Sequence, residues 1–383
     1  MHALAVAEIS AEAIRHNIET IRRRLAPGVQ ICAMVKADAY GHGVGLVLPA
    51  LTEAGVERLA VAQLPEAIAL RQSGWTAPIL CLGSPLAQSH WHSPADWANE
   101  AIQHRIHCTL CSMNEAHVIA EAARRASRPA VVEIKVDTGM GRMGFPLGDA
   151  VDHVTAIAAH SNAEIDSVFT HLATADDPDP AFTEQQLSRF TEVVQAIKSA
   201  NLPVKHFHAA NSGGIFRHHG SHFDIVRPGL SVYGYWDGPR DERPPLVPAM
   251  RLVAELVAVR EVPKGHAVGY GCTFRTERDS LIGVVPIGYG DGYRRSLGND
   301  AVMTINTRRE HPPQQAPVIG RVSMDLVTID VTDVPDVRTG DTVVVIDNDP
   351  TADNSVESFA RKLDTIPFDI TAAIANRVAR VPC

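Results

Sequence analysis

Short apolar runs alternate with amphipathic stretches over roughly the first 240 residues, and the alternation then stops. Residues 30–36, 58–63, 78–84, 106–111, 130–139, 164–174, 204–212 and 222–229 are short, apolar and β-prone. Most of the spacers read as helices. Pro65 opens one in its first turn, "SPADWANEAIQHR" and "SMNEAHVIAEAARRAS" are two more, and "TEQQLSRFTEVVQAIKSA" is the clearest. Ahead of the series, "AVAEIS" predicts one further strand, followed by a helix with Ser10 as N-cap and Pro27-Gly28 as its stop. Eight strands alternating with helices imply a parallel sheet, and that number over this length predicts a closed (β/α)8 barrel spanning residues 8–240. An open doubly wound sheet is the alternative, but no G-x-G-x-x-G follows the first strand to support it.

After the Pro- and charge-rich run "YWDGPRDERPPLVPAM", which reads as a linker, the pattern changes. "RLVAELVAVREV", "SLIGVVPIGYG", "AVMTIN", "APVIGRVSMDLVTIDVTD" and "DTVVVID" are β-like, broken by Gly, Pro and Asp turns and without long helices between them. A second, mainly β domain is expected from residues 1–7 and 241–383, ending in one or two helices with a loop at 364–369.

A chain of 383 residues exceeds one ordinary core, in agreement with two domains. The net charge of −9, with no Lys/Arg runs, argues against a nucleic-acid partner. No apolar run approaches about 18 residues, so no membrane span is expected, and the N-terminus lacks the features of a signal peptide. A cytoplasmic protein is the expectation. Six scattered cysteines read as reduced, and the single C-x-x-C at Cys108/Cys111 has no second pair. The pairs His90/His92 and His206/His208 and the group His218/His219/His222 meet no metal-binding pattern, so they read as structural or surface residues and no metal is expected.

The candidate chemistry begins at Lys36. In "VQICAMVKAD", Cys32, Met34 and Lys36 share one face of a strand, with Ile31, Ala33 and Val35 on the other. A lysine at the end of a buried strand must be paired, neutral, or bound to a carbonyl. If the domain is a barrel, its mouth also collects Tyr40, Lys135, Asp137, Arg142, His171, Asn211-Ser212-Gly213-Gly214 and Arg227-Pro228-Gly229-Leu230. The last two groups follow the seventh and eighth strands, where barrels commonly hold a phosphate. A lysine and a phosphate cup on one mouth imply pyridoxal 5′-phosphate.

The motifs "VKADAYGHG", "KVDTGMGRMG", "THLATAD", "NSGG", "RPGLSVYG", "VGYGCTF", "PIGYGDGY" and "GRVSMD" resemble the alanine racemase family, in its order and spacing, from about residue 6 to 381. The resemblance implies that Lys36 holds the cofactor as a Schiff base and that Tyr40, Ser212, Gly229 and Leu230 bind its phosphate. Arg142 is expected at the phenolic oxygen and Arg227 at the pyridine nitrogen, with His171 linking Arg227 to the second base. That base is Tyr270, supplied by a partner subunit, so a homodimer with shared sites is implied. The backbone at Met324 and the nearby Tyr289, together with Arg142, are expected to hold the substrate carboxylate. Lys135 matches a lysine that is commonly carbamylated, the alternative being a buried ion pair with Glu133 or Asp137. The implied reaction is two-base interconversion of L- and D-alanine, supplying D-alanine for peptidoglycan. One departure stands out: "TIPFDI" places Phe368 where the family usually has tyrosine. This keeps a racemase of serine or another small amino acid as an alternative. A barrel-type decarboxylase and a non-catalytic cofactor-binding protein are the readings from other classes.

Overall fold

The computed structural model describes residues 4–84, 86, 93–160, 162–307 and 311–383. His90, His92 and the first three residues of the expected β domain lie outside them. Eight parallel strands close into a ring: Gln30–Met34, Arg58–Val61, Ile79–Cys81, His107–Leu110, Ala130–Asp137, Ala163–Phe169, His206–His208 and Ile225–Val226. The last pairs with the first through Ile225↔Gln30 and Val226↔Ile31, which completes the barrel. Ring order follows chain order, each strand lying beside its predecessor, as in a (β/α)8 barrel. Several strands are shorter than their apolar runs. The run at 222–229 contributes only Ile225 and Val226 to the ladder.

The two faces of each strand separate cleanly. Ile31, Ala33 and Val35 join the large core between barrel and helices, whereas Cys32 and Met34 meet Ala60, Leu80 and Ile225 in a small cluster inside the ring. Apart from Phe169, which stacks on His208, the rest of the interior is polar. Arg58 on the second strand reaches Asp166 on the sixth at 2.5 Å, a contact that only the interior permits. The register between the fifth and sixth strands shifts at this point, from Val132↔Ile165 to Glu133↔Ser167. One extra residue on the sixth strand lets both Asp166 and Ser167 take part in the interior hydrogen bonding.

Ser10, Ser93 and Ser112 cap the helices Ala11–Arg22, Pro94–Gln103 and Met113–Arg125 by accepting N–H groups of their first turns. The chain starts outside the barrel: Ala5–Ile9 lies between Met250–Glu255 and Ala379–Pro382 in a six-stranded sheet. A three-stranded sheet, Ala258–Val262, Ser280–Val285 and Val327–Asp330, completes most of the second, mainly β domain. The predicted linker is not a solvated tether, since Tyr235, Trp236 and Leu246 are all buried. The loop predicted at 364–369 is corrected in its second half. Pro367 opens a short helix, Pro367–Thr371, because its fixed φ suits a first helical turn. Among the described residues, no helix is long and apolar enough to cross a membrane.

Behind the mouth, His42 is fully buried and stacks on Tyr233 with ring centroids 4.5 Å apart. Its Nδ1–H donates to the carbonyls of Ala39 and Tyr40, and Nε2 has no partner among the described residues. Burial pushes its pKa down to about 4, whereas in the unfolded chain it is about 6.5. The unfolded state therefore takes up a proton that the folded state refuses. This stability is present above about pH 6.5 and is lost as the pH falls through about 4. His42→Asn keeps a donor but cannot titrate, so its thermal midpoint should decline less than that of the wild type between about pH 7 and pH 5. Parallel declines would refute this account.

Candidate active site

A cavity of about 690 Å³ opens at the carboxyl ends of the barrel strands. It brings together Lys36, Tyr40, Lys135, Arg142, His171, Ser212, Arg227, Gly229 and Leu230, with Phe368 from the second domain. Tyr270, Tyr289 and Met324 are not among its walls.

Lys36 begins a turn of unusual hand. Ala37, Asp38, Ala39 and Tyr40 all have φ between +52° and +56°, one left-handed helical turn in a row of residues that each disfavour it by roughly 1–2 kcal/mol. The neighbours hold it in place. The Ala37 N–H donates to Glu66 Oε1 at 2.6 Å, and the Val44 N–H donates to Asp38 Oδ1 at 2.7 Å. The Tyr233 hydroxyl donates to the Met34 carbonyl at 2.8 Å. Gly41 follows at φ +81°, where a Cβ would stand 2.1 Å from the Thr371 carbonyl oxygen of the second domain. The result puts the Lys36 amine over the Tyr40 ring, 5.7 Å from its centroid. Burial, helped by Arg142, lowers the Lys36 pKa, against which Glu66 acts.

Arg227 is buried to 4% exposure. Its Nη2 donates to the Thr170 carbonyl at 2.7 Å and the Ala209 carbonyl at 3.1 Å, and lies 3.4 Å from His171 Nδ1. Its Nη1 donates to His208 Nδ1 at 2.6 Å. Nε is left without a hydrogen bond among the described residues. His171 is pushed down to about 3, by burial first and then by Arg227, Arg142 and the two lysines, so it is a neutral ring. With Nδ1 facing an arginine donor, its proton is on Nε2.

Lys135 is buried, and its amine donates to the Met143 carbonyl. The ion-pair alternative fails. Glu133 is taken by His107, Ser167 and His208, and Asp137 accepts the N–H groups of Gly139 and Gly141. Among the described residues Lys135 has no carboxylate within ion-pair distance, and burial lowers its pKa. On the opposite wall, Ser212 Oγ accepts from the N–H groups of Gly229 and Ser231 at 3.1 and 3.2 Å. Phe368 meets the Tyr40 ring edge-on, 5.6 Å between centroids.

The three remaining candidates all lie on the second domain. Tyr270, between Gly269 and Gly271 at positive φ, is 69% exposed, and its turn packs against Arg321. Met324 and Tyr289 are neighbours, since the Tyr289 N–H donates to the Ser323 carbonyl and the Gly290 N–H to that of Met324. Both side chains are exposed.

Residues 9–237 match the model of the alanine racemase N-terminal domain, and residues 249–382 that of the C-terminal domain. The chain belongs to the alanine racemase family. It is 37% identical to the alanine racemase of Methanococcus maripaludis over 98% of this chain and 97% of that protein. It is 35% identical to that of Desulfosudis oleivorans, over 99% and 96%. Solved alanine racemases superpose closely. That of Clostridium difficile 630 gives a TM-score of 0.90 at 30% identity, over 100% of this chain and 96% of that one. The enzyme of Streptomyces coelicolor gives 0.89 at 32%, over 99% and 98%. These matches do not favour a broader racemase or a decarboxylase.

Alanine racemases are in general pyridoxal-phosphate enzymes, and the residues here fit that group. Gly213 and Gly229 line a cradle that side chains would disturb. A Cβ at Gly213 would meet the Ala175 carbonyl carbon at 2.8 Å, and one at Gly229 the Tyr40 hydroxyl at 2.7 Å. Lys36, Arg142 and Lys135 face the same space with no carboxylate paired to any of them among the described residues, a basic set that suits a phosphate and a phenolate.

Sequence reasoning missed two functional neighbours. His208 read as a structural or surface residue, yet it is the hydrogen-bond acceptor for Arg227. Its signal was His206-x-His208 alternating within a buried strand. Glu66, in the helix that Pro65 opens, was not singled out, but its carboxylate accepts from Ala37, Ala62 and Gln63, which ties the Lys36 turn to the next helix. Glu66→Ala should weaken retention of added pyridoxal phosphate about tenfold, roughly the effect of losing one hydrogen bond to a charged group. Equilibrium dialysis with absorbance readout checks this, and unchanged retention would dismiss the role of Glu66.

Proposed function

We propose that this chain interconverts L- and D-alanine, using pyridoxal 5′-phosphate at the barrel mouth, as a homodimer in which each site draws on both copies. It is an isomerase. The expected boundary at residue 8 moves to Ser10, because Glu8 and Ile9 belong to the outer-sheet strand Ala5–Ile9: residues 10–240 form the cofactor-binding barrel, and that strand's domain, with residues 241–383, supplies the second base to the other copy. The observation that carries the reading is the convergence of Lys36, Arg142 and Arg227 on one cavity, in a chain of this family.

Bound pyridoxal phosphate withdraws electrons from the substrate's Cα–H bond and makes that proton removable. Tyr40, Ser212, Gly229 and Leu230 hold the phosphate end, Arg142 the phenolic oxygen and Arg227 the ring nitrogen. An arginine has no lone pair to accept a proton, so it leaves that nitrogen unprotonated and restrains the withdrawal. That suits a reaction whose only task is to take off a proton and put it back. Inversion needs a base on each face of Cα. Lys36 serves one face, and its lowered pKa raises the share of free amine. Tyr270 of a second copy serves the other. The neutral His171 directs Nε2–H away from Arg227, and that proton stabilises the phenolate of Tyr270. Arg142, the Met324 backbone and Tyr289 hold the substrate carboxylate.

Lys135 is carbamylated in the working enzyme. A buried lysine with a lowered pKa and no carboxylate partner supports this, and the carbamate gives Arg142 an anion to rest against. The exposure of Tyr270, Tyr289, Met324 and Leu326 on one domain supports a second copy as their cover. The product D-alanine serves cytoplasmic synthesis of peptidoglycan precursors.

Chiral chromatography of L-alanine incubated with the cofactor-loaded protein should show D-alanine forming to racemic equilibrium, and Lys36→Ala should abolish it. No conversion by the wild type would sink the reading. Shared sites are tested by mixing. Lys36→Ala and Tyr270→Phe are each expected to be nearly inactive, but unfolding and refolding them together should recover about a quarter of wild-type activity. Half of the dimers are then mixed, with one intact site in two. No recovery, from refolded dimers, would place both bases on one chain.

A further inference from the structure

We propose that Glu133, inside the barrel and two residues before Lys135, is a positioning residue for racemisation. It fixes the tautomer of His208, and through His208 the aim of Arg227. The proposal rests on the reading of Arg227 as the residue facing the cofactor ring.

Each hydrogen bond in the chain has a forced direction. A guanidinium only donates, so Arg227 Nη1, 2.6 Å from His208 Nδ1, requires that nitrogen to accept. The proton of the neutral ring is then on Nε2, which lies 2.8 Å from Ser167 Oγ and 3.1 Å from Glu133 Oε2. Ser167 could receive it or oppose it. The hydroxyl stands 2.7 Å from Glu133 Oε2, and an ionised carboxylate only accepts, so Ser167 spends its proton there and turns a lone pair to His208. The other carboxylate oxygen accepts from His107 Nδ1 at 2.9 Å. The order therefore starts at Glu133 and runs outward to Arg227. Phe169 closes the side of the chain, parallel to the His208 ring at 4.8 Å and beneath the Arg227 guanidinium at 5.2 Å.

The charge is also balanced within the interior. Arg58 Nη1 lies 2.5 Å from Asp166 and 4.0 Å from Glu133. His107, Glu133 and Asp166 are close enough together to hold a metal ion, but the Arg58 guanidinium already stands at their two carboxylates. Glu133 and His208 are 2% and 1% exposed, so water does not compete for these bonds. Although burial opposes ionisation, the bonds from His107 and His208 hold the Glu133 carboxyl well below its usual range, and burial holds His208 down to about 4.

Without the carboxylate, Ser167 is free to donate to His208 Nε2. The ring proton then moves to Nδ1, where it meets the Arg227 N–H groups donor to donor, and the guanidinium must turn. Glu133→Gln keeps an acceptor at this position, whereas Glu133→Leu removes it.

The test is 15N NMR of histidine-labelled holoenzyme, with His208 assigned by difference against His208→Asn, together with alanine kinetics of the two variants. His208 should be a neutral Nε2–H tautomer in the wild type and in Glu133→Gln, whose kcat stays within about threefold of wild type. Glu133→Leu should lose kcat by about tenfold or more, with KM changing less. An Nδ1–H ring or an imidazolium in the wild type would overturn the proposal. So would a folded Glu133→Leu dimer with wild-type kcat, or Glu133→Gln losing as much as Glu133→Leu. If Glu133→Leu does not fold, the wild-type tautomer and the Glu133→Gln rate decide. A wild type inert toward alanine would instead fail the functional reading, and the tautomer would still judge Glu133.

Discussion

Five basic side chains line one cavity, Lys36, Lys135, Arg142, Arg227 and Arg294, and among the described residues only Arg294 is paired with a carboxylate, that of Asp369. Like charges brought this close out of water repel, and the fold contains the repulsion by several means. Burial pushes both lysines toward the neutral amine, with Arg142 adding to the effect. Arg227 is lowered to about 10 by burial, and the carbonyls of Thr170 and Ala209 accept from it. Asp176 and Asp237 also line the cavity, but neither is paired with Lys36, Lys135, Arg142 or Arg227, so these four basic groups keep no carboxylate partner among the described residues. That unpaired basic surplus suits a ligand carrying acidic groups.

The barrel makes this arrangement possible because it offers two insulated environments. The outer faces of its strands carry the apolar packing against the helices. The inner faces hold a small apolar plug near Met34 and then a polar column linking Glu133, Ser167 and His208, with Arg58, His107 and Asp166 beside them. The interior thus sacrifices some apolar packing for control of orientation, and its carboxylates and guanidiniums are matched in number. The second domain acts on the same mouth from above, through Thr371 against Gly41 and Phe368 against Tyr40. It also presents Tyr270 to the outside.

The barrel was legible because short apolar runs alternate eight times with amphipathic, helical spacers over the first 240 residues. Nine of the candidate residues followed from strand ends alone, since closure gathers those ends at one mouth. Tyr270, Tyr289 and Met324 were accessible only through their motifs; nothing in a tyrosine between glycines shows which surface it meets. The column beneath Arg227 was hidden for another reason. Its members, Glu133, Ser167 and His208, lie on three different strands, and no local pattern reports that a glutamate at 133 will face a histidine at 208. The helix beginning at Pro367 and the buried stretch around Tyr235 and Trp236 were misjudged because proline and charge suggest solvent, whereas packing decided otherwise.

The left-handed turn after Lys36 sets stability against function. Glycine at position 37 or 39 would relieve the unfavourable φ of that residue and should raise the thermal midpoint. The same change would let the backbone leave the one conformation that aims the amine over Tyr40. Selection for robustness alone would favour such a substitution, and selection for turnover would oppose it. The turn marks a place where this protein is less stable than its own chain allows.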